Sequence, residues 1–119
     1  MFLEIVSPSE LVKDVGFAHS AETKSKEPIV INGHVFIPLN DAAADERNAF
    51  VYESELLNAP KATGAAWAVG DLLYWDATAK KFTKTATSNT ACGYALQPAG
   101  SADAVSPLIA FDSFTAVPA

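Results

Sequence analysis

Turn-forming residues divide the sequence into short apolar runs, and this spacing limits the folds that the chain can adopt. From Pro28 onward, clusters of Gly, Pro, Asn, Asp and Ser recur about every ten residues. The runs between them are rich in β-branched and aromatic residues, and none sustains the 3.6-residue period of an amphipathic helix. The pattern predicts an all-β fold, a small single-domain β-barrel or β-sandwich of about six or seven short strands.

Two hairpins are the clearest local predictions. Asn32-Gly33 separates the apolar runs 29–31 and 35–37, and both turn residues tolerate the positive φ of a tight hairpin. A second hairpin is predicted between 72–75 and 82–87, with aromatic contacts across its two strands.

The remaining strands are predicted at 49–57, 90–97 and 105–111. Pro107 cannot donate a hydrogen bond to a ladder, so it indicates that the last strand lies at a sheet edge. Gly93 indicates a bulge or a close approach of two backbones.

The stretch from Gly64 to Asp76 contains both tryptophans of the chain and one of its three tyrosines. A tight turn feeding a buried strand explains it best, because large aromatic side chains usually lie in a core. The candidate core signature is Trp67, Gly70, Asp71, Tyr74, Trp75 and Asp76. An alternative is a carbohydrate- or ligand-binding module in which Trp67, Tyr74 or Trp75 forms an exposed stacking platform.

Residues 1–27 are predicted to form an N-terminal arm and loop, and 28–119 a β-domain with a short C-terminal tail. The arm is either extended or includes a short helix within 7–16, with Pro8 at its first helical position. Such an arm either lies on its own domain or adds to a neighbouring surface. Apolar residues of the arm and tail are the candidate contacts with a partner: Phe2, Leu3, Ile5, Val6, Phe17, Phe114 and Val117.

Charge and reactive residues narrow the function classes. With a net charge of −6 and only 8 basic residues, the chain is not expected to bind nucleic acid. Cys92 is the single cysteine, which excludes an intramolecular disulfide and leaves too few ligands for a zinc site. Neither a secretion signal nor a membrane span is recognised in the sequence.

Catalytic motifs are not found either. His19 and His34 lie in no nucleophile or metal motif. Asp71 and Asp76 would lie about 16 Å apart on a strand, too far for paired-carboxylate chemistry, and are better explained as turn residues. The sequence therefore predicts that the protein is not an enzyme and has no cofactor, metal site or membrane partner. A small enzyme is the weakest alternative, and it would need Asp71, Asp76 and His34 to act in a cleft of convergent titratable groups.

Residues 28–112 resemble the capsid cement, or head-decoration, proteins of tailed bacteriophages, a group formerly described as a domain of unknown function. The most specific match is Gly70-Asp71-x-x-Tyr74-Trp75-Asp76, preceded by Pro-Lys-x-Thr-Gly at 60–64. The Thr-rich stretch 83–87 also fits. The chain departs from the family pattern in two places: the first 27 residues lack the glycine-containing opening, and 44–46 lacks a glycine.

The resemblance implies a structural protein that binds the outer surface of the assembled head and stabilises it. The implied partners are the major capsid protein of the shell and other copies of the chain, with a trimer favoured over a dimer. The implied location is the outer surface of the virion capsid, after synthesis in the bacterial host cytoplasm. The acidic balance suits an outer surface away from the packaged genome.

Overall fold

The computed structural model describes residues 3–8 and 11–115, which form an antiparallel sheet curled into a half-barrel. The described residues contain nine strands: β1 Glu4–Ile5, β2 Lys13–Ala18, β3 Ile29–Ile31, β4 His34–Pro38, β5 Arg47–Leu57, β6 Leu72–Asp76, β7 Lys81–Thr83, β8 Thr90–Ala95 and β9 Ile109–Asp112. The all-β prediction is confirmed, with two strands more than the upper estimate. Within the described ranges, no helix is long and apolar enough to cross a membrane.

The 11-residue strand β5 organises the sheet. One of its edges pairs with β2 and then β1, and the other pairs with β4 and then β9. The main path of the sheet runs β3-β4-β5-β9-β8-β6-β7. Because β4 and β9 share one edge of β5, the sheet turns at this strand and curls around the core.

The N-terminal segment is extended except at Leu11, which is in 3₁₀ conformation and whose N–H donates to the Pro8 carbonyl oxygen at 2.8 Å. The short helix considered within 7–16 does not continue beyond this point, because β2 occupies Lys13–Ala18 and exchanges backbone hydrogen bonds with β5. The following loop is also attached, since the backbones of Thr23 and Ala42 bond each other and Asn48 Nδ2 donates to Thr23 Oγ1 at 3.0 Å. The division of the chain at residue 27 stays a prediction.

Both predicted hairpins are present. Asn32 and Gly33 have φ values of 53° and 83°, as the tight turn between β3 and β4 requires. In the second hairpin Trp75 is paired with Phe82, and their ring centroids are 4.9 Å apart. Its second strand ends at Thr83 and not at 87, because Thr83 Oγ1 accepts a hydrogen bond from the Thr85 backbone and turns the chain away.

The prediction that 105–111 is an edge strand is wrong. The strand is β9, which begins at Ile109, after Pro107, and lies between β5 and β8. Gly93 on β8 allows this close packing: it has φ 145°, and a Cβ at this position would overlap the Ala110 carbonyl oxygen of β9. The close backbone approach predicted at Gly93 is therefore confirmed.

The core fills the concave side of the sheet with Leu3, Val35, Ile37, Val51, Leu56, Ala59, Trp67, Leu73, Trp75, Phe82, Cys92, Ala95, Ala99, Ile109 and Phe111. Lys61 is fully buried beside it. Its ammonium donates to the carbonyl oxygens of Ala62 and Ala65, each at 2.9 Å, and lies 5.1 Å from the centre of the Trp67 ring. Burial raises the pKa of the Cys92 thiol, which keeps it protonated and unreactive.

Candidate functional site

A second set of aromatic side chains lies on the face of β4 and β5 that points away from the core. Strand alternation directs Val35 and Ile37 into the core and Phe36, between them, to the opposite face. Phe36 joins rings contributed by β2, β5 and the turn after β9. We call this set the outer aromatic face: Phe17, His34, Phe36, Phe50, Tyr52 and Phe114.

The centre of the outer aromatic face is tightly packed. The rings of Phe17 and Phe50 stack with their centroids 4.2 Å apart and an interplanar angle of 12°. Phe36 meets both rings edge-on, at 5.8 Å from Phe17 and 6.5 Å from Phe50. Each such pair contributes about 0.5–1.5 kcal/mol beyond the area that it buries. These three rings attach β2 to β5 and β4 independently of the core.

Phe114 lies at the margin of this face and is 56% exposed. Its ring centre is 4.8 Å from that of His34 and 6.0 Å from those of Phe36 and Tyr52. Hydrogen bonds fix the backbone of the turn that carries this ring. The Phe114 backbone donates to Asp112 Oδ1 at 2.9 Å, and His34 Nδ1 donates to the Ser113 carbonyl at 3.0 Å.

Ser113 anchors the same turn to two strands. Its backbone N–H donates to the Tyr52 carbonyl at 2.8 Å, and its hydroxyl donates to the Val35 carbonyl in a short hydrogen bond. Ser113 is buried although its neighbour Phe114 is not. The exposed ring of Phe114 is therefore presented by a fixed turn.

Aliphatic residues extend the same face. The pairing register places Val15 opposite Phe50, Ile29 opposite Phe36 and Ile31 opposite His34. Directly paired residues of an antiparallel sheet share a face, so this part of the sheet is apolar on both sides. Antiparallel sheets usually turn a polar face to water, and an exposed apolar area marks an interaction surface.

The predicted contact residues fall in different places. Phe17 and Phe114 belong to the outer aromatic face, whereas Leu3 is buried in the core and Ile5 packs against it. Val6 is exposed. Phe2 and Val117 lie outside the described residues. A contact role for Leu3 would require the arm to leave its own core.

Phe36, Phe50 and Tyr52 are not among the contact residues that the sequence predicts. A signal was present for two of them, because the alternation in 49–55 places Phe50 and Tyr52 on one face. Phe36 gave no such signal, since it stands between two other apolar residues, Val35 and Ile37.

The aromatic residues of the candidate core signature are buried. Trp67 is 4%, Tyr74 9% and Trp75 2% exposed, so none presents an open ring face for a ligand to stack on. An open groove of about 580 Å³ does run beside Trp67, and Thr83, Thr85 and Thr87 contribute to its wall. In the described part of the chain, no group of three His, Cys, Asp or Glu is placed to hold a metal ion.

The polar signature residues shape turns. Gly70 has φ 90°, and Asp71 Oδ2 accepts a hydrogen bond from the Ala68 backbone at 2.8 Å. That bond, together with Lys84 Nζ at 3.2 Å, lowers the pKa of Asp71. Asp76 Oδ1 accepts hydrogen bonds at 3.0 Å from the backbone N–H groups that follow at 78 and 79. These contacts close the turns on either side of β6 and give no catalytic arrangement.

A family model described as phage cement protein matches residues 6–110. The chain belongs to the phage cement protein family, as the resemblance of residues 28–112 indicated. Membership makes it a component of a phage capsid and indicates a structural and not a catalytic role. No curated protein and no solved structure matched the chain.

Proposed function

We propose that the protein binds the outer surface of an assembled phage head, contacts the major capsid protein through its outer aromatic face, and stabilises the shell. The observation that carries this proposal is the exposed, fixed ring of Phe114 at the margin of a sheet that is apolar on both sides. Family membership supplies the capsid as the partner.

The fixed turn favours tight binding. Interfaces lose affinity when flexible side chains must be ordered, and energetically important contacts are usually aromatic side chains in well-packed surroundings. Phe114 already rests on His34, Phe36 and Tyr52, and Asp112 and Ser113 hold its backbone. Its burial against a shell would therefore cost little conformational entropy.

Repetition strengthens such contacts. A shell offers many equivalent sites, and an oligomer that engages several of them at once gains affinity through effective concentration. We infer that the chain acts as a homo-oligomer. The family resemblance favours a trimer over a dimer, and location on the outer surface and synthesis in the host cytoplasm complete the proposal.

The test compares Phe114→Ala with Val69→Ala on undecorated phage shells. Val69 is 64% exposed but lies outside the outer aromatic face, so it is a matched control for the loss of an exposed apolar side chain. We expect Phe114→Ala to weaken shell binding by about tenfold or more, as for a central aromatic contact, and Val69→Ala to leave it unchanged. Bound copies are counted on purified shells after sedimentation. Equal saturation by Phe114→Ala and the unmodified chain would contradict the proposed surface.

A further inference from the structure

The open groove beside Trp67 is a candidate binding site with about 580 Å³ of space. Residues of the connector 62–67 and of the segment 83–89 line it, together with Asp76 and Thr78. Its volume lies within the range of about 300–1,000 Å³ that is typical of small-molecule sites. Its lining residues are all distinct from those of the outer aromatic face. A ligand in the groove would therefore use a different set of residues from the proposed shell contact.

The indole N–H of Trp67 is a buried donor without a partner. Trp67 is 4% exposed and contributes to the wall of the groove. Among residues 3–8 and 11–115, its Nε1 is the one buried side-chain nitrogen or oxygen that forms no hydrogen bond. Buried polar groups are almost always paired, because an unpaired donor is unfavourable. A ligand oxygen can accept this bond, and since the N–H is covered from solvent, the wall has to shift slightly for the oxygen to reach it.

The wall of the groove is polar but carries no excess charge. Its charged side chains are one lysine, Lys84, and one aspartate, Asp76. Hydroxyl groups both donate and accept hydrogen bonds, so they match a ligand whose own groups do the same. Hydroxyl and amide side chains form most of the wall: Thr63, Thr78, Thr83, Thr85, Thr87, Ser88 and Asn89. This composition favours a neutral ligand that is rich in hydroxyl groups.

Hydrogen bonds order both sides of the groove. On the connector, the buried Lys61 ammonium donates to two backbone carbonyl oxygens, each at 2.9 Å. On the other side, the backbone N–H of Thr85 donates to Thr83 Oγ1 at 3.1 Å, and Asn89 Nδ2 donates to the Thr85 carbonyl oxygen at 2.9 Å. A site whose walls are already ordered binds its ligand at a smaller entropic cost.

Two other classes of ligand fit this groove less well. An extended peptide adds to a free strand edge, but Phe82 on β7 already exchanges backbone hydrogen bonds with the residues at 60 and 62, at 2.8 and 2.9 Å. An anion would meet the Asp76 carboxylate, while the Lys84 ammonium is engaged by Asp71 at 3.2 Å. A neutral saccharide meets neither obstacle.

We propose that this groove binds a neutral oligosaccharide, with Trp67 Nε1 donating to one of its oxygens and the hydroxyls of Thr85 and Thr87 bonding others. Both threonines are exposed, so their hydroxyls are open to a ligand. The contact with Trp67 is made through the ring edge, because the Lys61 ammonium lies over the ring, 5.1 Å from its centre. Saccharide binding is a second activity beyond the proposed shell contact.

A glycan array followed by isothermal titration calorimetry tests the proposal on the full chain. The array carries neutral disaccharides and trisaccharides of hexoses and N-acetylhexosamines, and inorganic phosphate is titrated as the anionic comparison. We expect at least one neutral glycan to bind with a dissociation constant of about 1 mM or below. Phosphate is expected to bind more weakly than that glycan.

Variants then test whether the glycan lies in the groove. Thr85→Val/Thr87→Val removes two hydroxyls and keeps the side-chain shape, and Trp67→Phe removes the N–H and keeps an aromatic ring. We expect each variant to weaken binding of the glycan by about fivefold or more. Thr90→Val, on β8 outside the groove, is the control and should bind like the unmodified chain. Circular dichroism checks that each variant folds, and the threonine variant decides the test if Trp67→Phe does not.

Three results would overturn the proposal: no neutral glycan of the array binds, phosphate binds more tightly than any of them, or a folded groove variant binds the glycan as tightly as the unmodified chain. Shell binding is measured on the same variants and is expected to be unchanged, because the groove and the outer aromatic face share no residue. The saccharide site and the shell contact therefore fail independently.

Discussion

The two faces of β4 and β5 are both apolar, yet the described chain closes only the inner face up to its margin. On the inner face Val35 and Val51 are fully buried under the rest of the core. On the outer face, burial decreases from Phe50, which is fully buried, to Phe114, which is 56% exposed. The difference separates two tasks: residues of the inner face hold the fold together, and we expect residues at the outer margin to be available for contact with a partner.

The largest loss of stability is expected at Gly93, where the backbones of β8 and β9 lie in close contact. Gly93→Ala would overlap the carbonyl oxygen of Ala110 and require an unfavourable φ, so we expect destabilisation by about 4 kcal/mol or more, or loss of the folded state. Gly16→Ala meets only the mobile end of Arg47 and is expected to stay within about 0.5 kcal/mol. Urea unfolding followed by circular dichroism measures both. Equal losses would contradict the close packing of β8 on β9.

Aromatic truncation compares the two faces directly. Trp75→Ala opens a large cavity in the core and is expected to cost about 3–5 kcal/mol of unfolding free energy. Phe114→Ala removes a ring that is already more than half exposed, and we expect a loss below about 1 kcal/mol. The same urea titration reports both values. Similar losses would mean that the outer face stabilises the fold as much as the core does.

Substitutions of Lys61 test how much its buried hydrogen bonds contribute to the stability of the fold. Lys61→Ala leaves the carbonyl groups of Ala62 and Ala65 without their donor and opens a cavity, so we expect a loss of about 2–4 kcal/mol. Lys61→Met retains most of the buried aliphatic volume and is expected to lose about 1–2 kcal/mol. Lys81→Ala, at an exposed position, is the control and should change little. A neutral Lys61→Ala variant would show that these hydrogen bonds contribute no net stability.

The smallest change in stability is expected from Asp71, in the turn that leads into β6. The Ala68 N–H and then Lys84 lower the pKa of Asp71 in the folded protein below its ordinary 3.8. Stabilisation by this carboxylate is therefore present above pH 3.8 and is lost as the pH falls through the lower, folded value. Melting temperatures of the unmodified chain and Asp71→Asn should converge below pH 3.8. A difference that does not change with pH would contradict this coupling.

Local signals account for the part of the fold that the sequence predicts. Asn32-Gly33 specifies its hairpin through two adjacent residues, and the run at 72–76 carries enough aromatic area to indicate a buried strand. Strand β2 gave no such signal, because Lys13, Asp14 and Gly16 do not favour strands by themselves. Its pairing with β5 joins distant segments, and only the folded chain shows it.

The candidate site is less predictable for the same reason. The sequence predicts Phe17 and Phe114 as isolated apolar contact residues near the two ends of the chain. The ring of Phe36, which contacts both, belongs to a strand whose outward face the sequence does not reveal. The sequence does not predict the burial of Lys61 either, since lysine is among the residues least often found in a core.

The position of β5 has a kinetic consequence. Its four partners come from residues 4–5, 13–18, 34–38 and 109–112, so its hydrogen bonds join segments from nearly the whole described chain. Non-local pairing of this kind requires closing long loops before contacts form, and we expect folding to take roughly milliseconds to seconds. Until these four strands have paired with β5, both of its hydrogen-bonding edges are exposed. We therefore expect the chain to be most prone to aggregation during folding, before β5 is paired.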